Sequence, residues 1–178
     1  MSIFSDQHHF LLYSGNRSYA KARLHLKGTS QYFPCAIGKL GQTILKREGD
    51  NKTPIGTWQP LKLYYRADRI TRPQTRLPIV PIKSNDGWCD EPFDPNYNRP
   101  VKRPYKKSSE TLWRDDHIYD CVIVLDHNQN PRVHGLGSAI FIHLARPGYT
   151  PTEGCIALAK SHLYQVAKSL SKQSKITI

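Results

Sequence analysis

The sequence predicts a mainly β fold of short strands and turns, with one C-terminal amphipathic helix and a long Pro-rich ordered insertion. Three observations lead there. The chain holds 13 Pro and 11 Gly against a lean 38% of hydrophobic residues, a balance that favours turns and half-buried strands over long helices. Apolar and polar residues alternate in several short runs. Only the stretch after Cys155 repeats its apolar residues at helical spacing. At 178 residues the chain is read as one domain spanning 1–178, able to bury a core without disulfide or metal.

Taken in order, Phe10-Leu11-Leu12-Tyr13 is a strand ended by the turn signal Ser14-Gly15-Asn16. Ala20 to Leu26 sets Ala22, Leu24 and Leu26 on one face and Lys21, Arg23 and His25 on the other, the pattern of a half-buried strand. Tyr32 to Ile37 follows and Gly38 closes it, so these segments form an antiparallel meander. Lys46 to Trp58 is a charged loop, punctuated by Gly49, Pro54 and Gly56, that runs into a strand carried by Trp58, Leu61, Leu63 and Tyr64. Pro60 implies an edge or a bulge in that strand.

From Arg66 to Ser109 the periodicity fades, and Pro73, Pro78, Pro81, Pro92, Pro95, Pro100 and Pro104 accumulate. Aromatic and apolar content argues for an ordered insertion, a lid or binding wall over about 66–110; a flexible insertion is the alternative. Ile118 to Leu125 is apolar on both faces and therefore central, with Tyr119, Cys121, Ile123 and Leu125 sharing one face. Ser138 to Leu144 is a second buried strand. Leu158, Leu163, Val166, Ala167 and Leu170 give a helix from about Lys160 to Leu170, and Ile176-Thr177-Ile178 ends the chain as a strand.

Lys and Arg number 26 against 14 acidic residues, a formal charge of +12 that attracts polyanions. No helical basic stripe, zinc-finger spacing or Gly-rich aromatic segment accompanies the charge, so nucleic acid is not the expected partner. A phosphate- or carboxylate-rich envelope polymer remains. Cys35, Cys89, Cys121 and Cys155 show no C-x-x-C spacing, and His117, His127, His134 and His143 show no His-x-x-Glu-His pattern, so neither a metal nor a cofactor is expected. Cys121 belongs to the core strand, which leaves Cys35 with Cys89 as the pairing to check. The N-terminal segment lacks the basic start and apolar run of a signal peptide, and no stretch is apolar enough to span a bilayer.

The residues with chemistry lie close together. In the Ser138–Leu144 strand, Ile140, Ile142 and Leu144 point one way, and Ala139, Phe141 and His143 the other. A reversal rich in Pro and Gly, Ala145 to Pro151, brings Cys155 back beside His143. A free thiol ionises near ~8.5, and an adjacent imidazole can take its proton to make an ion pair and a strong nucleophile. Gly154 allows close backbone approach, and the amides of Glu153, Gly154 and Cys155 can turn inward as an oxyanion nest. A satisfied core histidine beside a buried thiol is the plainer reading of those residues taken alone.

The segment from His143 to Leu158, with Glu153-Gly154-Cys155 inside it, resembles the signature of the YkuD-type L,D-transpeptidases. Gly49-Asp50-Asn51-Lys52-Thr53-Pro54-Ile55-Gly56-Thr57 is similar to the same family's upstream Thr-Pro-x-Gly segment, and the two matches stand in family order. The resemblance covers most of the chain outside the insertion and points to the compact proteobacterial branch. It implies a YkuD-like β-sandwich or barrel with the cysteine in a cleft under a lid. It further implies acyl transfer onto peptidoglycan stem peptides through a thioester on Cys155, of 3-3 or 1-3 type. His143 carries over as the base, the backbone amides at Gly154 and Cys155 as the oxyanion hole, and a backbone carbonyl as the third element.

This chain departs from the family in three places. Glu153 stands where a His is usual, Ala157 where many members have Arg, and the gap from His143 to Cys155 is short. Arg146 is the candidate to replace that Arg on a stem-peptide carboxylate, against a solvated loop charge. Trp88, Asp90, Tyr97 and Asn98 are candidates to line the groove, against packing of the insertion; Ser138 is a further candidate beside the site. A hydrolase on the same fold, an L,D-carboxypeptidase or amidase, is the alternative activity. The resemblance also implies a monomer in the periplasm or cell envelope, and a carbapenem-reactive cysteine.

Overall fold

The computed structural model describes residues 8–14 and 21–178, of Lys21 the backbone only. Gly15, Asn16 and Ala20 of the first expected turn and strand, and the N-terminal segment before His8, lie outside the described residues. In chain order the strands are β1 (His9–Tyr13), β2 (Lys21–Leu26), β3 (Tyr32–Ala36), β4 (Gln42–Thr43), β5 (Thr53–Pro54), β6 (Thr57–Trp58), β7 (Pro60–Tyr65) and β8 (Ile79–Pro81). Then come β9 (Asp86–Cys89), β10 (Pro100–Lys102), β11 (Ser109–Thr111), β12 (Cys121–Leu125), β13 (Phe141–Leu144), β14 (Ile156–Leu158), the helix α1 (Lys160–Ser169) and β15 (Lys175–Thr177).

Ten strands form one curled sheet in the order β6-β15-β1-β2-β3-β14-β13-β12-β7-β8. The mainly β expectation therefore holds. The alternation of Ala22, Leu24 and Leu26 puts those side chains into the core, and β1, β2 and β3 pair antiparallel as expected. β12 is buried at every residue because it lies between β7 and β13 with both faces covered. Pro60 sits in an interior strand, opposite a register shift between Val124 and Leu125. Of the two expected choices the chain takes the bulge, which spares the missing N–H a ladder partner.

The sheet separates two apolar clusters. On one side Leu24, Ile123, Ile142 and Leu158 pack with Leu163, Val166 and Ala167 of α1. Each such buried Leu, Ile or Val side chain contributes about 1.5–3 kcal/mol. On the other side Val122, Val124 and Phe141 pack with Tyr64, Trp88, Leu112 and Tyr119, and Cys155 belongs to this cluster. Tyr119 was expected on the face of Cys121. The strand starts only at Cys121, after a turn with His117 at φ 64°, so Tyr119 falls on the opposite side.

The Pro-rich segment is not irregular throughout. β8 extends the large sheet, and β10-β9-β11 forms a separate three-stranded sheet. Trp88 of β9 packs edge-on against Phe141, ring centroids 5.2 Å apart, which fixes that small sheet over the second cluster. At its base the buried Arg66 guanidinium donates to Asp68 and to the Arg114 carbonyl, and stacks 3.5 Å from the Trp113 ring.

Candidate active site

Parallel pairing of β13 with β14 sets His143 beside Ala157, so Cys155, two residues earlier, faces the same side of the sheet. The connection between them is not a hairpin. It returns the chain to the starting end of the strand, as parallel neighbours require, through a 3₁₀ turn at Pro147–Tyr149. Thr152 closes the loop. Its N–H donates to the Ile37 carbonyl at 2.9 Å, and its carbonyl accepts from Lys39 at 2.8 Å. Its hydroxyl donates to the Cys155 carbonyl at 2.6 Å and accepts the Gly154 N–H at 3.2 Å. Gly154 has φ +147°, and a Cβ there would meet the Lys52 carbonyl oxygen at 2.9 Å.

The thiol is held by two backbone groups. Sγ accepts the Phe141 N–H at 3.4 Å and donates its hydrogen to the Ala139 carbonyl at 3.1 Å. Ala139 itself has φ +51°, and its N–H goes to Asn98 Oδ1 at 3.1 Å. These bonds explain why the regular strand begins at Phe141 and not at Ser138: both polar groups of the Ala139 backbone are bonded elsewhere.

His143 is 6% exposed, and its Nδ1 lies 2.9 Å from the Leu144 carbonyl oxygen. A carbonyl only accepts, so Nδ1 carries a hydrogen and Nε2 of the neutral ring is the free acceptor. The Tyr119 ring packs edge-on against the imidazole at 5.2 Å. Burial holds His143 down at about 4, and Arg146 and Arg114 push the same way against the Leu144 bond. Burial also pushes the Cys155 thiol up, with Glu110 adding, while the Phe141 N–H and Lys46 pull it down. Burial thus works against both charged forms, the Cys155 thiolate and the His143 imidazolium, since each would be desolvated here.

Two cavities meet at Cys155. One, of about 350 Å³, is bordered by His143, Tyr119, Lys39, Arg114 and Arg146. The other, of about 280 Å³, is bordered by Lys46, Glu48, Asp90, Ser138 and Ala139. Cys155, Glu110, Glu153 and Asn51 border both. The charges divide accordingly. Among the described residues Lys46 is the one cation of the smaller cavity and is bound to Asp50, so carboxylates dominate there; the larger cavity gathers Lys39, Arg114 and Arg146.

The family model of the YkuD L,D-transpeptidase catalytic domain matches residues 5–178. The chain belongs to this family. Among solved structures, Bd1075 of Bdellovibrio bacteriovorus aligns over 97% of this chain and 47% of its own, at 14% identity and a TM-score of 0.46. The chain thus spans about half the length of that structure. No curated protein matches it.

Against the YkuD signature, the expected groove residues divide. Asp90 and Ser138 border the smaller cavity, and Arg146 the larger one, where it pairs with Asp116 at 3.0 Å. Trp88, Tyr97 and Asn98 border neither cavity. Trp88 is 3% exposed and donates to Asn98 Oδ1 at 3.0 Å; Tyr97 gives its hydroxyl to Glu48; Asn98, 1% exposed, also donates to the carbonyls of His127 and Asn128. Packing claims them because each buried polar atom finds a partner inside the protein. Of the expected oxyanion amides, that of Gly154 is already engaged by Thr152. Cys35 and Cys89 do not pair: both are buried free thiols, in β3 and β9 of different sheets.

Sequence reasoning missed Glu110, Lys46, Thr152 and Ala139. Thr152 sits inside the recognised segment, three residues before Cys155, where a hydroxyl is a usable signal. Glu110 and Lys46 carry none, since distant chain segments bring them to the cleft. Among the described residues no helix is long and apolar enough to cross a membrane, and no cluster of three metal-ligating side chains occurs.

Proposed function

We propose that this YkuD-family chain is a cysteine acyltransferase that cross-links peptidoglycan stem peptides. The observation carrying this reading is that Cys155 borders two cavities at once, giving an acyl donor and an acyl acceptor each a place beside one sulfur. A hydrolase needs only the first. In the donor step the thiol hydrogen leaves the Ala139 carbonyl for His143 Nε2, and sulfur attacks the stem-peptide carbonyl. The Phe141 N–H steadies the developing thiolate, as the Leu144 carbonyl does the imidazolium. The tetrahedral oxyanion takes the amides of Cys155 and Glu153, with Gly154 shared with Thr152. The imidazolium then gives its proton to the leaving amine, and a thioester remains.

The charge division supports a substrate bearing both signs. A carboxylate suits Lys39, Arg114 and Arg146, and an ammonium suits Asp90 and Glu153. Stem peptides carry both groups. Their location puts the protein in the periplasm or cell envelope, where its +12 charge favours anionic polymers.

The test is incubation of purified protein with stem-peptide fragments, followed by mass spectrometry. Dimers are expected, and their fragment masses assign the link to L-Ala or to diaminopimelate. Shortened monomers without dimers mean hydrolysis and overturn the transferase reading.

A further inference from the structure

His143 borders the larger cavity only; among the described residues no imidazole borders the smaller one. An amine arriving through the smaller cavity must still lose a proton as it attacks. Lys46 there is bound to Asp50, and Glu48 accepts the Tyr97 hydroxyl. Glu110, on β11, borders both cavities together with Cys155. Its Oε2 accepts the Tyr119 hydroxyl at 2.9 Å, and among the described residues Oε1 has no hydrogen-bond partner. The carboxylate is thus oriented by one oxygen and open at the other.

We propose that Glu110 is a second proton acceptor of the site, serving the incoming amine in the transfer half of the reaction. This rests on the acyl-transfer reading above. The amine nitrogen bonds to the thioester carbon, and its proton passes to Glu110 Oε1. The tetrahedral intermediate collapses with cleavage of the C–S bond, and the departing thiolate takes that proton from Glu110, restoring the thiol.

The surroundings suit the task. Burial pushes Glu110 up to about 7 against the Tyr119 bond, with Asp90 and Glu153 adding to the push and Arg114 opposing it. An acceptor near neutrality takes and returns a proton at comparable rates. Tyr119, Asp90, Arg114 and Glu153 act on it directly, and Lys39, Lys46, Glu48, His143, Arg146 and Cys155 border the same two cavities.

Rapid-quench intact mass spectrometry separates the two halves. The protein is mixed with a stem tetrapeptide, then with glycinamide, from about pH 5 to about pH 9, and rates are expressed per free amine. Glu110→Gln is expected to form the adduct at nearly the wild-type rate. Its aminolysis should fall by about 10²-fold or more, and the acid limb near neutrality should vanish. Tyr119→Phe keeps the carboxylate but removes the bond that lowers its pKa, so that limb should move to higher pH. Unchanged aminolysis in Glu110→Gln overturns the proposal, as does an equal loss in both halves. If that variant does not fold, an unmoved limb in Tyr119→Phe overturns it. Absence of any wild-type adduct overturns the acyl-transfer reading as well.

Discussion

The Cys155 thiol gives its hydrogen to the Ala139 carbonyl at 3.1 Å, and no hydrogen bond joins it to His143. Ala139 presents that carbonyl because its backbone is left-handed, and Asn98 holds it there. An S–H stretch reports such a bond directly, by a lowered frequency. The difference spectrum between the protein and Cys155→Ser should show a hydrogen-bonded S–H band. Asn98→Gly, which keeps the φ of +56° at that position, should move the band toward the free-thiol frequency. Trp88→Phe, which removes the other donor to Asn98 Oδ1 while keeping an aromatic ring against Phe141, should leave it in place. A free-thiol band in the wild type contradicts the arrangement.

Burial of His143 has a consequence for acid stability. Its folded pKa near 4 lies below the ordinary value near 6.5, so between these limits the unfolded chain binds a proton that the folded chain refuses. Stability therefore falls as pH drops through that window, by up to roughly 3 kcal/mol from this group. His143→Gln keeps a donor for the Leu144 carbonyl and cannot titrate. Urea unfolding at about pH 7 and about pH 4 should show a loss smaller by about that amount in the variant.

Gly154 permits no side chain. A Cβ would press on the Lys52 carbonyl at 2.9 Å, in a backbone conformation that other residues avoid. Gly154→Ala should lower stability by roughly 1–3 kcal/mol and slow acylation of Cys155. Thermal unfolding together with thiol acylation rates checks both.

All four cysteines are free, so unfolded protein should titrate four thiols without prior reduction. A count of two would restore the Cys35–Cys89 bridge that the sheets keep apart.

Strands were legible wherever one face is wet, as in Ala22, Leu24 and Leu26, and where a run is apolar throughout, as in Cys121 to Leu125. That Cys155 and His143 face one side of the sheet was legible because their elements are adjacent in sequence, and β13 pairs directly with β14. The small sheet over the site was not legible, because its strands of three or four residues are too short to show a period, and Trp88 and Asn98 tie it to the rest only in the folded chain. Asn98 shows the same limit at one residue. Its polarity suggested a groove, yet it bonds four protein groups, which only the folded chain brings together.

Whether Cys155 is the nucleophile is tested most directly by intact mass spectrometry after exposure to a carbapenem, an acylating β-lactam. One covalent adduct is expected on the wild type and none on Cys155→Ser, with acylation of His143→Ala slowed by about 10²–10⁴-fold. A wild-type protein that stays unmodified, or an adduct that persists in Cys155→Ser, would contradict the assignment.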